Sequence, residues 1–322
     1  MTMFGDQVYQ YGGMPVNGFM TTGKVWFVKP STGSDGNTGK TPAKALKTLA
    51  KAQSLATADK GDVVYMVAES NTAASTTDYQ SSVLAWAKDG VHLIGLDSNP
   101  FLGQRARISN LSTAATFTNL FTLSGDNCFI RNIGMFQGAM ATNAAASHYC
   151  MQVSGQHNRV ESCQISGIGH ADLDDAGSRS LYVTGAENYF YNNYIGLDTI
   201  LRATATSEIE VTNIPRTVFD KCIVESWTSL STFKAMETTS FDRFIIFRDC
   251  VLSAVQGITS SVAPTGAIGT TTPNGIVILH NTFVYGYADV ASADNTSVYV
   301  SPSGGGVAGS VDFGVAKSVD IA

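Results

Sequence analysis

Charge is scarce in this sequence. Asp, Glu, Lys and Arg make up 14% of the 322 residues, against roughly 25% in an average globular domain, and the net charge is −6. No Lys/Arg cluster stands out, so the phosphate-neutralising surface that a nucleic-acid partner requires is missing. No apolar run approaches the ~20 residues of a membrane-spanning helix, so membrane insertion is not expected. Met1 to Gln10 carries no basic run followed by an apolar core, which predicts a chain without a secretory signal. The five cysteines, Cys128, Cys150, Cys163, Cys222 and Cys250, form no CxxC pair and are odd in number. Neither a zinc site nor a complete disulfide set is expected from them, only free thiols.

Gly, Ser, Thr, Ala and Asn are abundant instead, a mixture suited to turn-rich β structure. Internal repetition organises it. Leu123-Ser124-Gly125, Val153-Ser154-Gly155, Val183-Thr184-Gly185 and Val211-Thr212-Asn213 recur at intervals of 30, 30 and 28 residues. Replacement of Gly by Asn in the fourth copy predicts a left-handed turn at Gly125, Gly155, Gly185 and Asn213, since those residue types tolerate that backbone best. A second column follows, Asn132, Cys163, Asn193, Cys222, Cys250 and Asn281, at intervals of 31, 30, 29, 28 and 31. Short β-type segments flank it, and two residues beyond it Ile165, Ile195, Val224, Leu252 and Phe283 return with the period of two that a strand requires. No helix-length periodic run interrupts the units, which excludes helical repeats of similar length. The expected fold is all-β: a right-handed parallel β-helix, a solenoid with turns of 28–31 residues. The Asn/Cys column becomes a structural ladder on its inner wall, neighbouring members ~4.8 Å apart.

Four regions are expected: an N-terminal attachment arm over 1–22, a cap and first turns over 23–110, repeats over 111–290 and a C-terminal cap over 291–322. The arm lacks the repeat, and Met3, Phe4, Tyr9, Tyr11, Met14, Phe19 and Met20 give it the aromatic and Met-rich character of an interface core. In the cap, Lys24 to Val28 reads as a strand, followed by a Gly-rich turn and a capping helix over 42–56, with Thr41 as its cap and Pro42 at its first position. Strands from Gly61 to Val67 and Gly90 to Leu96 come next. Gly33-Ser-Asp-Gly-Asn-Thr-Gly39, Lys47-Thr-Leu-Ala-Lys-Ala52 and Gly61-Asp62-Val63, in this order, resemble the N-terminal cap of pectate-lyase-like right-handed β-helix proteins. The likeness covers roughly residues 24–290. That superfamily includes lyases, hydrolases, phage tailspikes and non-enzymatic virion proteins, so the resemblance implies a fold and leaves activity to the site.

Gly39-Lys40-Thr41 has the ending of a phosphate-binding loop, but Ser34 stands where its first Gly is required and no βα alternation follows. Asp35-Gly36-Asn37 lacks the spaced carboxylates of a calcium loop and reads as a turn. No cofactor and no metal is expected. The best enzyme candidate is the loop Gly169-His170-Ala171-Asp172-Leu173-Asp174-Asp175, with Arg179 close behind. Asp198 and Glu225 fall on the next two turns, placed to gather with it along one edge, and two carboxylates ~5–9 Å apart are what glycoside hydrolysis needs. Polygalacturonase-like members carry an Asp pair, a Gly-His-Gly and an Arg-x-Lys on successive turns. Here Gly169-His170 precedes Asp174-Asp175 in one loop, Ala171 replaces the second Gly and no Arg-x-Lys follows, a departure that weighs against catalysis. Trp86, Trp227, Tyr189, Tyr191 and Tyr194 are candidates for stacking on sugars, although aromatics in a β-helix more often fill the core.

Low charge, no export signal, a β-helix without a recognised active site and a non-repeating arm lead to the expectation of a non-enzymatic, structural or adhesive virion protein. Gly90-Val-His-Leu-Ile-Gly-Leu96 and Gly103-Gln-Arg-Ala-Arg107 resemble uncharacterised phage β-helix proteins. That resemblance implies a tailed bacteriophage head decoration or short spike, with other virion proteins as partners, a homotrimer, and assembly in the host cytoplasm. The alternative is a polysaccharide depolymerase, hydrolase or lyase, on the same scaffold, with cell-surface polysaccharide as its partner.

Overall fold

The computed structural model describes residues 10–11, 14–15, 22–68, 77–96, 102–111, 118–138, 147–213, 215–255, 263–271, 274–291 and 297–301. Its strands form three parallel sheets, of ten, eight and seven strands, wound into a β-solenoid with very little helix. One turn shows the pattern. Tyr149–Val153 joins the seven-stranded sheet, Arg159–Glu161 the ten-stranded sheet and Gln164–Ile168 the eight-stranded sheet. Arg179–Val183, Tyr189–Tyr191 and Tyr194–Arg202 repeat it one turn later, pairing Met151 with Leu181, Val160 with Phe190 and Ile165 with Ile195. Parallel pairing in constant register makes equivalent residues face each other, so the inward side chains pile into columns. Phe190, Phe219 and Phe247 are fully buried, with their rings stacked at 4.8 and 4.7 Å.

Left-handed residues bound the short strands of the ten-stranded sheet on both sides. Asn132, Ser162, Asn192, Lys221, Asp249 and Asn281 turn the chain out towards the eight-stranded sheet, and Gly90, Asn127, His157, Glu187 and Arg216 turn it in from the seven-stranded one. The expectation of a left-handed column at Gly125, Gly155 and Gly185 is therefore corrected: these glycines have no positive φ, although Asn213 does, at 57°. Glycine is needed there for another reason. A Cβ on Gly155 would lie 2.2 Å from the Gly125 carbonyl oxygen, and one on Gly185 1.9 Å from that of Gly155. Successive turns touch backbone to backbone at this corner.

The Asn/Cys column is corrected at both ends. Cys163, Asn193, Cys222 and Cys250 stack in one register, where Asn193 Oδ1 accepts from the Cys163 amide and its Nδ2 donates to the Val160 carbonyl, both at 2.9 Å. Ile133 and Thr282 occupy the remaining rungs, while Asn132 and Asn281 sit one residue earlier, in the left-handed column. Their spacing of 31 residues puts them there. A second amide column was not foreseen: Asn158 Oδ1 accepts from the Cys128 amide at 2.7 Å, and Asn188 Oδ1 from the Asn158 amide at 2.9 Å. All five cysteines are unpaired and buried, and burial pushes the thiols of Cys128, Cys150 and Cys163 up to about 12.

The capping helix is shorter than the expected 42–56. Pro42–Lys44 is a single 3-10 turn, and the α-helix runs over Leu49–Leu55, capped by Thr48, whose Oγ1 accepts from the Lys51 amide. Thr41 makes no side-chain cap. The interruption has a cause: Leu46 bridges to the strand Val25–Val28, with hydrogen bonds of 2.8 and 2.9 Å to Phe27 and Lys29, which requires an extended backbone. Asp35 accepts from the Lys47 and Thr48 amides, so its carboxylate serves the turn. Lys40 Nζ lies 3.1 Å from the centroid of the Trp26 ring. Of the arm, the antiparallel pair Gln10–Tyr11 and Met14–Pro15 and the last residue, Thr22, are described. Met3, Phe4, Tyr9, Phe19 and Met20, and the C-terminal cap beyond residue 301, lie outside the described residues. No helix among the described residues is long and apolar enough to cross a membrane.

Two outcomes follow from this packing. Phe219 lies between two stacked rings, so Phe219→Ala should lower unfolding free energy by ~3–5 kcal/mol, and Phe219→Leu by well under half of that. Urea melts measure both, and a loss below about 1 kcal/mol for the alanine variant would mean that the column is not a closely packed core. His92 accepts from the Phe129 amide at 3.1 Å, and burial holds its pKa near 4 against the opposing pull of Asp62. Because the folded state disfavours the charged ring, the unfolded chain takes up the proton first. Stability present above pH ~6.5 should thus be lost progressively towards pH 4, and His92→Gln should flatten that slope.

Candidate functional site

The loop read from the sequence as the best enzyme candidate carries a buried charge cluster where the eight-stranded sheet gives way to the seven-stranded one. Asp174, its side chain 4% exposed, accepts from Arg202 Nε at 2.8 Å. It also accepts from the amides of Ala203, Thr204 and Ala205, at 2.6, 2.8 and 3.3 Å. Arg202 reaches Glu208 Oε1 at 2.9 Å and the Ser178 carbonyl at 3.0 Å, with the Phe233 ring 5.8 Å away. Ser180 donates to Glu208, and burial pushes that carboxyl above its usual range while Arg202 pulls it back. Asp174 thus holds the 203–205 segment, and Glu208 holds Arg202 and Ser180.

The other expected acids take separate partners. Asp172, half exposed, lies 3.5 Å from His170 Nδ1, and Asp175 Oδ2 lies 3.1 Å from Nε2 of the buried His148 without hydrogen-bond alignment. Asp198 is exposed on the strand Tyr194–Arg202, and Glu225 accepts from the Tyr194 hydroxyl outside the eight-stranded sheet. The structure does not bring the five acids into one cleft.

Arg179 does organise a site. Its strand, Arg179–Val183, belongs to the seven-stranded sheet, and its guanidinium runs along the outer face across the next two turns. Nε lies 3.1 Å from Glu210 Oε2, and Nη2 lies 3.5 Å from Glu237 Oε2 and 2.8 Å from Thr206 Oγ1. Nη1 donates to the carbonyls of Ala176 and Ser178, both at 2.9 Å. Glu210 and Glu237 are register partners on adjacent parallel strands, so their backbones stand ~4.8 Å apart. The Glu210 and Glu237 side chains are 22% and 24% exposed, against 6% for Arg179. Tyr182 is the register partner of Glu210 on the preceding turn, and its ring stacks on Tyr149 at 4.6 Å. Sequence reasoning missed Glu210 and Glu237, yet a signal existed: Tyr182 and Glu210 each precede the repeated Val183 and Val211 by one residue.

The remaining candidates serve the scaffold. Trp86 is fully buried and donates to the Val91 carbonyl at 2.8 Å. Tyr189 donates to Asp220 at 2.6 Å, and the Arg159 guanidinium covers the Tyr189 and Tyr191 rings at 5.4 and 5.5 Å. A shallow pocket of about 180 Å³ lies outside the eight-stranded sheet, lined by Arg107, Gly134, Met135, Phe136, Gln164, Ser166 and Leu197. It contains no carboxylate, imidazole or thiol for acid–base work. Among the described residues, no group of three or more His, Cys, Asp or Glu is placed to hold a metal.

No protein-family model matches this chain, and no curated protein sequence does. Solved structures do. A pectin methylesterase from Aspergillus niger superimposes with a TM-score of 0.53 and 14% identity, covering 87% of this chain and 81% of its own. A rhamnogalacturonan lyase gives 0.48 with 15% identity over 82% and 69% of the two chains, and pectate lyase Pel9A 0.45 with 9% over 84% and 79%. The chain thus has the pectate-lyase-like parallel β-helix fold. At these identities the likeness is one of fold, and nothing in it distinguishes a bacteriophage protein.

Asp174→Asn should destabilise the protein by ~3–5 kcal/mol, because it removes one of the two counter-charges of the buried Arg202, leaving Glu208 alone, and replaces one of the two oxygens that accept from the 203–205 amides. Asp172→Asn, at an exposed position, should change stability by less than about 0.5 kcal/mol. Equal losses in chemical denaturation would show that the cluster is not what holds this corner.

Proposed function

We propose that the chain is a polysaccharide-active protein whose outer seven-stranded face holds the glycan, with Glu210 and Glu237 as its catalytic carboxylates. The observation that carries this reading is the pair itself: two partly exposed acids in register on adjacent strands, bridged by Arg179 and flanked by the Tyr149–Tyr182 stack. Retaining glycoside hydrolysis uses two carboxyl groups ~5–5.5 Å apart, one protonating the leaving oxygen and the other attacking the anomeric carbon. Register partners one strand spacing apart, ~4.8 Å at the backbone, can place their carboxyl groups at that separation. Arg179 lies within 3.5 Å of both carboxyl groups, and each also accepts from a threonine hydroxyl, Thr212 for Glu210 and Thr206 for Glu237, so the acid and nucleophile roles fall to the pair. The tyrosine rings offer the flat apolar surface on which a pyranose ring stacks. The fold shared with the Aspergillus niger pectin methylesterase supports a polysaccharide-directed role over the virion role expected from the sequence.

Incubation with a panel of plant, microbial and capsular polysaccharides, followed by assay of new reducing ends, tests the reading. Glu210→Gln and Glu237→Gln should each lower the rate at least 100-fold, while folding as the wild type does. Absence of cleavage across the panel, or a Glu210→Gln variant as active as the wild type, would remove the catalytic assignment.

A further inference from the structure

The chemistry of that face also selects its ligand. A uronate polymer presents a carboxylate on every residue and is held by cations with free donors, above all by the open fork of an arginine. Here every guanidinium nitrogen of Arg179 already has a protein oxygen within 3.5 Å: Glu210 at Nε, Ala176 and Ser178 at Nη1, Thr206 and Glu237 at Nη2. Arg202, just behind, is buried and shared between Asp174 and Glu208. Among the described residues of this face there is one further cation, Lys234, in register with Ser207; its ammonium lies 3.3 Å from the Thr232 carbonyl. Among the described residues, the charged groups this face offers outward are therefore two carboxylates and one half-exposed lysine, beside two tyrosine rings and the Asn119–Gln152 amide pair. An ionised carboxylate only accepts hydrogen bonds, so it favours a ligand that brings donors. Sugar hydroxyls are such donors in any polysaccharide, but the carboxylates of a uronate chain would also meet its negative charge.

We infer that this face, taken as the glycan site proposed above, binds an uncharged, hydroxyl-rich polysaccharide and rejects uronate polymers. The geometry assigns specificity to the Glu210–Glu237 pair, whose ionised member repels acidic chains while accepting from sugar hydroxyls, and to Tyr182, which orients the ring. Affinity electrophoresis of the full chain in gels containing dextran, laminarin, galactomannan or xylan, and in gels containing polygalacturonate or alginate, separates the possibilities. At least one uncharged polymer should retard the protein, the two acidic polymers should not, and Tyr182→Ala should weaken the retardation at least 10-fold without changing the melting profile. Equal or stronger retardation by polygalacturonate or alginate would overturn the neutral-ligand assignment and leave a glycan-binding role standing. Retardation unaffected by Tyr182→Ala would move the ligand to another face and overturn the assignment as well. If none of the six polymers retards the wild type, the glycan reading itself falls, and the inference with it.

Discussion

The described β-solenoid depends on register-matched parallel stacking, in which paired residues lie ~4.8 Å from their counterparts one turn away, with local shifts in a few strand pairs. The consequence is that like must tolerate like. Apolar positions gain by it, because Phe190, Phe219 and Phe247 stack face to face in the interior. Amides gain too: Asn193 and Asn188 each accept from the backbone of the preceding turn and donate to another carbonyl, so a buried polar column leaves few groups unpaired. Corners impose the opposite demand. Where Gly125, Gly155 and Gly185 meet, the backbones come so close that no side chain fits.

Charges cannot follow the same rule, since stacked like charges repel. The structure handles them by alternation or by bridging. On the left-handed corner, His157, Glu187 and Arg216 run in sequence up the stack, with Glu187 in contact with both neighbours. On the outer ten-stranded face, Asp220 lies between Tyr189 and Arg248. Glu210 and Glu237 break the pattern, two carboxylates in register with no cation in their own column. They are tolerated because Arg179 reaches across from the preceding turn. That like-charge pair is what the proposed function builds on, whereas the acids of the Asp174–Arg202–Glu208 cluster are buried against their own partners.

Much of the fold was legible in the sequence. The repeat of about thirty residues, the period of two around Ile165, Ile195 and Val224, and the Cys163–Asn193–Cys222–Cys250 rungs all follow from residue order, because a solenoid writes its vertical neighbours into the sequence at a fixed interval. Errors came where the interval drifts. A one-residue excess displaced Asn132 and Asn281 into the next column, and glycine's two uses, positive φ and close approach, look identical as letters.

The site was less legible. Sequence alone determined the scaffold, the scarcity of charge and the presence of Arg179 near a group of acids. It could not say which acids Arg179 meets, because that depends on which residues at each corner turn inward. Asp174 is the nearer in sequence, yet its oxygens are claimed by Arg202 and by three backbone amides. Glu210 and Glu237, one and two turns away, are the acids that face the guanidinium. Only the tertiary structure decides between them, because contact along a solenoid is set by the lateral direction of each side chain, and the repeat interval records height in the stack but not direction.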